Sequence, residues 1–350
     1  MELYFRRPHE YQRLYNCTFY NVDDIPAEKR THTILGLSIL LMAIVYEARG
    51  RILYVPCIVS IFKHLNNSAY KFMFYIGIVD MFCMNINGVI TGYFAMKGYV
   101  YCSHPTLIYV FGTVGDALWV TETSAAMLLA INRCIEMWSS KMAFTLYKGR
   151  RTWLWLIFPV VYAVTYFLFT PSLLFSGIYV SWFFNPHVGY YDDFGKIYYN
   201  NVHTIHNTFV LLGLTGIYVL FIILLAVKSS SVEGQAPTRS KSQQMSFLQV
   251  LLVSLVNATA AGIYVFMQFA RISDLLIIIG TFAWLNAHGL PSVIYITMNR
   301  TIRNDCKRMV HNLMFRGSNR INSINKKNTG TDSCMQKTHS EGDHHSNFVL

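Results

Sequence analysis

The fold class of this protein is decided by the stretch FVLLGLTGIYVLFIILLAV, residues 209–227, in which no side chain is charged. A membrane-spanning helix needs about 20 mostly apolar residues. Seven stretches of the chain have this character, and they are residues 34–62, 69–94, 106–131, 152–175, 204–227, 245–268 and 275–298. We therefore predict an all-α membrane protein whose residues 34–298 form a bundle of seven transmembrane helices.

The composition agrees with a protein that is built around the membrane. Of the 350 residues, 53% are hydrophobic and 13% are charged, whereas soluble domains carry about 25% charged residues. A soluble globular protein and a disordered chain are both excluded on these grounds. The net charge is +11, but the basic residues lie between apolar segments, so the charge indicates membrane orientation and interaction with lipids and does not favour nucleic-acid binding.

The orientation follows from the distribution of Lys and Arg, which are enriched on the cytoplasmic side of membranes. Connections 1–2, 3–4 and 5–6, with the adjoining helix ends, hold Lys63, Lys71, Arg133, Lys141, Lys148, Arg150, Arg151, Lys228, Arg239 and Lys241. The other connections hold Lys97, Lys196 and Arg271. We therefore predict that residues 1–33 are extracellular and that the C-terminus is cytoplasmic, as in rhodopsin-like G-protein-coupled receptors.

Two further segments follow the seventh predicted span. Residues 299–315 carry apolar side chains at helical spacing, which predicts an amphipathic juxtamembrane helix on the inner leaflet. An extension of the seventh helix is the alternative. Residues 316–350 are rich in Ser, Asn, Lys and His, so they are predicted to form a disordered cytoplasmic tail.

The third predicted helix ends in the sequence Asn132-Arg133-Cys134. A cationic residue at the inner end of this helix is the arrangement through which G-protein-coupled receptors engage their partner. A positively charged flank without a signalling role is the alternative.

Helix 7 contains Pro291 and, one turn further on, Tyr295. Proline frees a backbone carbonyl and bends a helix, so the two residues are predicted to form an activation switch. The alternative is a proline that the membrane helix simply tolerates.

Polar side chains in the predicted spans mark two candidate sites, because such groups are unfavourable in lipid and usually face the bundle interior. Asp80, Glu122, Asn286 and His288 are predicted to form a polar core that binds a cation or exchanges a proton; a purely structural hydrogen-bond network is the alternative. Nearer the outer end, Asp116, Trp119 and Thr123 are candidates for the ligand pocket.

The predicted outer side carries two covalent features. Cys17 and Cys102 are the cysteines available there for a disulfide, with free thiols as the alternative. Asn16 begins an Asn-Cys-Thr glycosylation sequon.

Motifs for catalysis and for cofactors are missing from the sequence. There is no C-x-x-C, H-E-x-x-H or G-x-S-x-G motif, and no lysine in helix 7 that could hold retinal. We therefore predict no enzymatic activity, no metal and no cofactor.

Several segments together resemble the nematode serpentine receptor class T family of seven-helix chemoreceptors. The resemblance covers about residues 15–308, and its segments are LYVPC (53–57), YKFMFYIGIVDM (70–81), YC (101–102), NRC (132–134), GRRTW (149–153) and HGLP (288–291). It implies a chemosensory receptor that binds a small chemical cue, couples to a heterotrimeric G protein and lies in the plasma membrane of sensory cilia.

One segment departs from the family pattern. Ala48, Arg49, Gly50 and Arg51 stand near the middle of the first predicted helix, where each arginine costs about 2.5–3.5 kcal/mol on insertion scales. One hypothesis is a gene-model artefact or a damaged allele. The other is a genuine helix in which Arg49 and Arg51 pair with Glu47 and Asp80.

Two other classes of protein remain alternatives to the receptor. A seven-helix ligand-gated ion channel would have its N-terminus inside, which the loop charges oppose. A transporter would use the intramembrane acids, and these acids are the main evidence for that hypothesis.

Overall fold

The computed structural model describes residues 1–52, 54–191, 193–230, 241–269, 273–309 and 311–312. Met1–Arg303 form one compact unit, and the described residues from Asn304 onward belong to a second unit. We call the end of the bundle that bears the N-terminal segment the outer end, after the predicted orientation, and the opposite end the inner end.

Six helices of the described residues are long and apolar enough to cross a membrane, which confirms the prediction of an all-α membrane protein. They are helix 2 (Ser68–Lys97), helix 3 (Pro105–Trp138), helix 4 (Arg151–Phe169), helix 5 (Asn201–Ser230), helix 6 (Lys241–Phe269) and helix 7 (Asp274–Met298). Helix 3 packs against helices 2, 4, 5 and 6 and is buried over most of its apolar length. It therefore forms the centre of the bundle.

The first predicted span consists of the helices Thr33–Ile52 and Tyr54–Lys63, which we call helix 1. Leu53, between them, lies outside the described residues. The backbone of residues 48–51 is helical, but their side chains, and with them the predicted arginine pairing, also lie outside what is described.

Helices 1 and 2 approach each other closely at two glycines. A Cβ atom added to Gly36 would lie 2.6 Å from the carbonyl oxygen of Gly92, and one added to Gly92 would lie 2.7 Å from that of Gly36. Because the obstacles are backbone atoms, neither position accepts a larger residue without separating the helices. Between Asn85 and Ile90 helix 2 widens into a π-helical turn.

Helix 4 is shorter than the predicted span 152–175, so that boundary was wrong. The helix ends at Phe169, and Thr170 is already extended (φ −102°, ψ 155°) because it precedes Pro171. The chain then forms an antiparallel hairpin of Leu174–Ser176 and Ser181–Phe183. Its apolar residues pack on the bundle end instead of crossing the membrane.

Helix 3 is longer than predicted and continues to Trp138 instead of ending at residue 131. The added residues contain neither Gly nor Pro, so nothing in them ends a helix. Ser139 then caps the surface helix Ser140–Tyr147 by accepting a hydrogen bond from the Met142 amide.

The N-terminal segment folds into short helices that lie over the outer end. These are Glu2–Arg6, Pro8–Leu14, Val22–Asp24 and Ala27–Arg30. The Tyr11 hydroxyl lies 2.9 Å from that of Tyr101, and the Tyr198 hydroxyl donates to the Leu14 carbonyl. The segment is therefore fastened to the bundle at several points.

A new helix begins after helix 7. Asn299 is extended (φ −88°, ψ 108°), and its side chain accepts hydrogen bonds from the Thr301 and Ile302 amides, as an N-cap does. Residues 300–309 and 311–312 are helical. The predicted juxtamembrane helix 299–315 is described as far as residue 312, and the predicted tail 316–350 lies outside the described residues.

Candidate functional site

A cavity of about 190 Å³ opens at the outer end between the hairpin and the ends of helices 5 and 6. Its wall is largely aromatic and apolar, with Trp182, Phe184, Tyr198, Tyr199, Tyr264 and Met267. Polar groups enter it from Asp193, Lys196, Asn200, His203 and Gln268. An apolar wall with a few convergent polar groups is typical of small-molecule sites.

Hydrogen bonds to helices 2 and 7 hold the hairpin over the bundle. The buried Trp182 indole donates to the Thr91 hydroxyl on helix 2 (2.8 Å). The Thr281 hydroxyl on helix 7 donates to the Val180 carbonyl (3.0 Å). Val180 has a φ of 53°, which is unfavourable for a β-branched residue, so this bond helps to hold a strained turn in place.

Asp116, the predicted ligand-pocket acid, lies beneath this cavity. Its side chain is buried, and Oδ1 is 3.8 Å from Nε2 of the cavity-lining His203. No hydrogen bond of ordinary geometry reaches either carboxylate oxygen from the described residues, and the Tyr166 hydroxyl is a polar group that approaches them. The structure thus places Asp116 beneath the cavity wall, next to His203 and Tyr166.

Trp119 and Thr123, the other predicted pocket residues, contact helix 5 directly. The Trp119 indole donates to Asn207 Oδ1 (2.8 Å), and the Thr123 hydroxyl lies 3.0 Å from His206 Nε2. Both are therefore one layer below the cavity, where they link helices 3 and 5.

The polar core contains a close contact between helices 2 and 7. His288 Nδ1 lies 2.8 Å from Asp80 Oδ1, and both side chains are fully buried. Because a carboxylate oxygen accepts, Nδ1 is the protonated nitrogen. The indole ring of Trp119 packs against His288 with ring centroids 5.9 Å apart, so the pocket layer and the polar core touch.

Glu122 joins the same core from helix 3. Its two carboxylate oxygens accept hydrogen bonds from the side-chain amide of Asn257 on helix 6 at 3.0 and 3.2 Å. Asp80 and His288 are close enough to interact with it electrostatically. Three of the four predicted core residues therefore come together.

Asn286 is the predicted core residue that the structure places elsewhere. Its Oδ1 accepts a hydrogen bond from the Tyr46 hydroxyl on helix 1 (2.6 Å), and its amide nitrogen donates to the Phe282 carbonyl. It is two residues before His288, so it faces a different side of helix 7. It fastens helix 1 to helix 7.

Pro291 and Tyr295 lie in the buried part of helix 7, which continues through the proline. The Tyr295 hydroxyl has no hydrogen-bond partner among the described residues. Gly289, nearby, packs against the ring of Tyr46, and a Cβ added there would lie 2.3 Å from a ring carbon. Helix 1 is therefore in close contact with helix 7 near the predicted switch.

At the inner end Arg133 donates from Nη1 to Glu136 Oε2 (2.8 Å) on the same helix. The Ser68 hydroxyl at the start of helix 2 donates to the other carboxylate oxygen of Glu136 (2.9 Å). Asn132 is buried and donates to the Ser68 hydroxyl (3.1 Å). These four residues, the inner clasp, join helices 2 and 3.

Cys134 faces away from the inner clasp. It is buried in a small cluster with Met137 and Phe221, against Ile217 and Leu224 of helix 5. Of the predicted coupling residues, Asn132 and Arg133 thus lie together in the clasp, whereas Cys134 packs between helices 3 and 5.

The outer covalent features lie in the N-terminal segment. Cys17 and Cys102 form a disulfide with their Cα atoms 5.5 Å apart. Asn16 precedes this bridge and accepts a hydrogen bond from the Thr18 amide. The ring of Tyr20 packs on His187 of the outer loop, with centroids 3.9 Å apart, and burial lowers the pKa of His187 to about 4.

The described residues contain no group of three or more His, Cys, Asp and Glu side chains placed to hold a metal ion. Sequence reasoning missed several residues of the site, namely Tyr46, Ser68, Glu136, His203, His206, Asn207 and Asn257. A signal for three of them was present: His203, His206 and Asn207 recur at intervals of three and four residues in a membrane helix, which marks one inward-facing stripe.

Comparison with known proteins agrees with this architecture. The profile of the family described as "Serpentine type 7TM GPCR chemoreceptor Srt" matches residues 1–319. A curated relative, "Serpentine receptor class T-55" of Caenorhabditis elegans, is 28% identical over 236 residues, which cover 67% of this chain and 63% of the relative. With its helical bundle, outer cavity and buried polar core, the chain belongs to the Srt family of serpentine seven-transmembrane chemoreceptors.

Proposed function

We propose that this protein is a chemosensory receptor that binds a small chemical cue in the outer cavity and activates a heterotrimeric G protein at the inner end. The observation that carries the proposal is a continuous series of contacts from the cavity to the core. His203, in the cavity wall, contacts Asn207. Asn207 accepts from Trp119, whose ring packs on His288.

Binding in the cavity would act through this series. A ligand that displaces His203 alters the position of Asn207, and thereby the indole of Trp119 and the His288–Asp80 contact. A ligand shifts a conformational equilibrium only by its difference in affinity for the two states. The cavity is a place where such a difference can arise, because its wall combines residues of helices 5 and 6 with residues of the hairpin.

The inner clasp supports the second half of the proposal. Asn132 and Cys134 are buried, and Arg133 is engaged by Glu136, so the three predicted coupling residues are held by contacts within the protein in this conformation. Opening requires the clasp to separate and helix 3 to move relative to helix 2. This is the resting state expected of a receptor whose activation exposes Arg133.

As an integral membrane protein of a receptor family, the chain is proposed to lie in the plasma membrane of sensory cilia and to have no enzymatic activity. The predicted orientation is tested by glycosylation at Asn16. A mass shift that enzymatic deglycosylation removes, and that Asn16→Gln abolishes, supports an external N-terminus. An unglycosylated chain at the cell surface contradicts it and favours the channel topology.

The function is tested by calcium responses to a panel of volatile and soluble cues in cells that display the full chain. We expect a response that disappears when Gα is inhibited and in Arg133→Ala, but persists in Arg150→Ala, which removes the same charge from an exposed position at the inner end. A response that survives both Gα inhibition and Arg133→Ala contradicts the proposal and indicates a channel.

A further inference from the structure

The carboxyl group of Asp116 is the feature of the outer half that the protein itself leaves unexplained. It is 1% exposed, and neither oxygen has a hydrogen-bond partner among the described residues. Burying an unpaired carboxylate is strongly unfavourable, and buried polar atoms in native proteins are nearly always partnered. Such a group is stabilised either by taking up a proton or by binding a cation.

The nearest ionisable neighbour, His203, does not supply a positive charge. Because the indole N–H of Trp119 donates to Asn207 Oδ1, the amide nitrogen of Asn207 must point towards the His203 ring, whose nitrogens are 3.2 and 3.4 Å away. An amide NH₂ group only donates, so one ring nitrogen accepts and the imidazole is neutral. Asp116 is thus left without a counter-charge from helix 5.

Other buried polar groups lie near the same carboxyl group. The Tyr166 hydroxyl interacts with Asp116 and with the Asn200 side chain, and the Tyr264 hydroxyl interacts with Ser181 and Thr281, but none of these contacts has the geometry of a full hydrogen bond. Tyr166 and Tyr264 lie within electrostatic range of Asp116, and Asn200 and Tyr264 also line the cavity. These groups connect Asp116 to the cavity and form an incomplete polar subsite.

The second acid of the cavity, Asp193, is already satisfied. Its two carboxylate oxygens accept hydrogen bonds from the Ile197 amide (2.9 Å) and the Tyr198 amide (3.0 Å). It also lies beside Lys196 in the cavity wall. Asp193 thus has a donor at each oxygen, whereas Asp116, beneath the wall residue His203, has no such pair of donors.

The size and wall of the cavity limit the rest of the ligand. An engineered cavity of about 150 Å³ holds benzene, so about 190 Å³ accommodates one ring with a short substituent. The rings of Trp182, Phe184 and Tyr199 in the wall favour an aromatic or cyclic group.

We propose that the cavity binds small primary amines that carry a single ring, with the ammonium group on Asp116 and the ring against the aromatic wall. This inference rests on the proposed receptor function and names the chemical class of its cue. The hydroxyls of Tyr166 and Tyr264 can accept hydrogen bonds from the ammonium group, and the amide nitrogen of Asn200 can donate one to a polar substituent.

The test measures binding to the purified full chain in nanodiscs of uncharged phosphatidylcholine, by equilibrium dialysis. The probes are 2-phenylethylamine, its uncharged analogue 2-phenylethanol and the anion phenylacetate, which share a ring and differ in charge. We expect the amine to bind the wild-type chain at least about tenfold more tightly than either analogue, since a charge-assisted contact is involved.

Two variants of equal charge change localise the site. Asp116→Asn is expected to weaken amine binding by about tenfold or more, whereas Asp24→Asn, at an exposed position of the N-terminal segment outside the cavity wall, is expected to leave it unchanged. Amine binding that persists in Asp116→Asn, or equal or tighter binding of the alcohol or the acid to the wild-type chain, overturns the proposal. So does a failure of the amine to bind.

The comparison of the three probes on the wild-type chain keeps the inference falsifiable should Asp116→Asn not fold. Binding is measured without a G protein, so its outcome is separate from that of the signalling experiment. A Gα-dependent cell response to neutral cues, without amine binding, would preserve the receptor and reject the ligand class. Asp116-dependent amine binding without any Gα-dependent response would support the ligand class and reject the proposed signalling through a G protein.

Discussion

The imidazole of His288 and the carboxylate of Asp80 meet at 2.8 Å with no access to solvent. The contact joins helix 7 to helix 2, and the Trp119 ring packs on its histidine. The contact therefore lies where a conformational change that starts at the cavity would reach the polar core.

Separate replacement of these partners should be more damaging than joint replacement. Asp80→Leu or His288→Leu leaves the other group buried with its partner removed, which costs about 3–5 kcal/mol. We expect the loss of stability in the double variant to be clearly smaller than the sum of the losses in the two single variants. Thermal unfolding of the full chain in detergent, analysed as a double-mutant cycle, measures this; additive effects would show that the two groups are energetically independent.

Release of the inner clasp should raise signalling in the absence of a cue. Glu136→Gln keeps the shape of the side chain but removes the charge that holds Arg133. For a partly exposed pair worth up to about 1 kcal/mol, basal signalling should rise by up to about fivefold. Lys141→Gln, an exposed charge change at the same end, serves as the control. An unchanged or lower basal level in Glu136→Gln would mean that the clasp does not restrain activation.

Trp119→Phe should weaken the response to a cue while leaving the fold intact. The phenyl ring retains much of the contact with His288, but the hydrogen bond to Asn207 is lost, a net loss of about 1 kcal/mol. We expect a shift of about fivefold in the cue concentration for half-maximal response. Trp155→Phe, which loses an indole bond to Leu146 at the surface, should respond like the wild type. Equal shifts in both variants would argue against a specific route through Trp119.

The disulfide Cys17–Cys102 should act as a single unit. It closes a separation of 85 residues, and loss of such a bridge typically costs 2–5 kcal/mol. Cys17→Ser, Cys102→Ser and the double variant should therefore show the same loss of stability. The measurement is thermal unfolding together with proteolytic sensitivity of the N-terminal segment. A double variant that is less stable than either single variant would indicate separate roles for the two thiols.

Acid should loosen the N-terminal segment. Burial lowers the pKa of His187 to about 4, so between pH 6.5 and pH 4 the unfolded form binds more protons than the folded form. Stability therefore rises with pH in this window and is lost as the pH falls through it. Hydrogen exchange of residues 17–24, which include the Tyr20 ring on His187, should accelerate from pH 6.5 to pH 4 after correction for intrinsic rates. His187→Gln should remove this pH dependence, and its persistence in that variant would assign the effect to another group.

The membrane segments were predictable because their information is local. A run such as residues 209–227 is apolar over the thickness of a bilayer whatever surrounds it, and helix 5 forms there. Loop charges, sequons and single polar residues within apolar runs are likewise read without knowledge of neighbours. Asp80, Glu122 and His288 were found in this way.

The partners of those residues depend on how each helix is rotated about its axis. When a membrane helix is apolar on all sides, its sequence does not show which face points into the bundle. Asn286 and His288 are two positions apart, yet one contacts Tyr46 and the other Asp80. Cys134 follows Arg133 directly but packs toward helix 5. The hairpin after Pro171 forms part of the cavity wall, but its residues were predicted to be the end of a membrane helix. Apolar residues are found both in a segment that caps a bundle and on a surface that faces lipid, so the sequence does not distinguish the two.

The sequence by itself therefore determined the membrane-embedded, all-helical nature of the protein, its family resemblance and the polar groups around which a site is built. Packing between segments far apart in the chain decides which of those groups meet, and it places Asp116 beneath the cavity beside His203. Those contacts are set by helix rotation and close approach, as at Gly36 and Gly92, and no local pattern of residues encodes them.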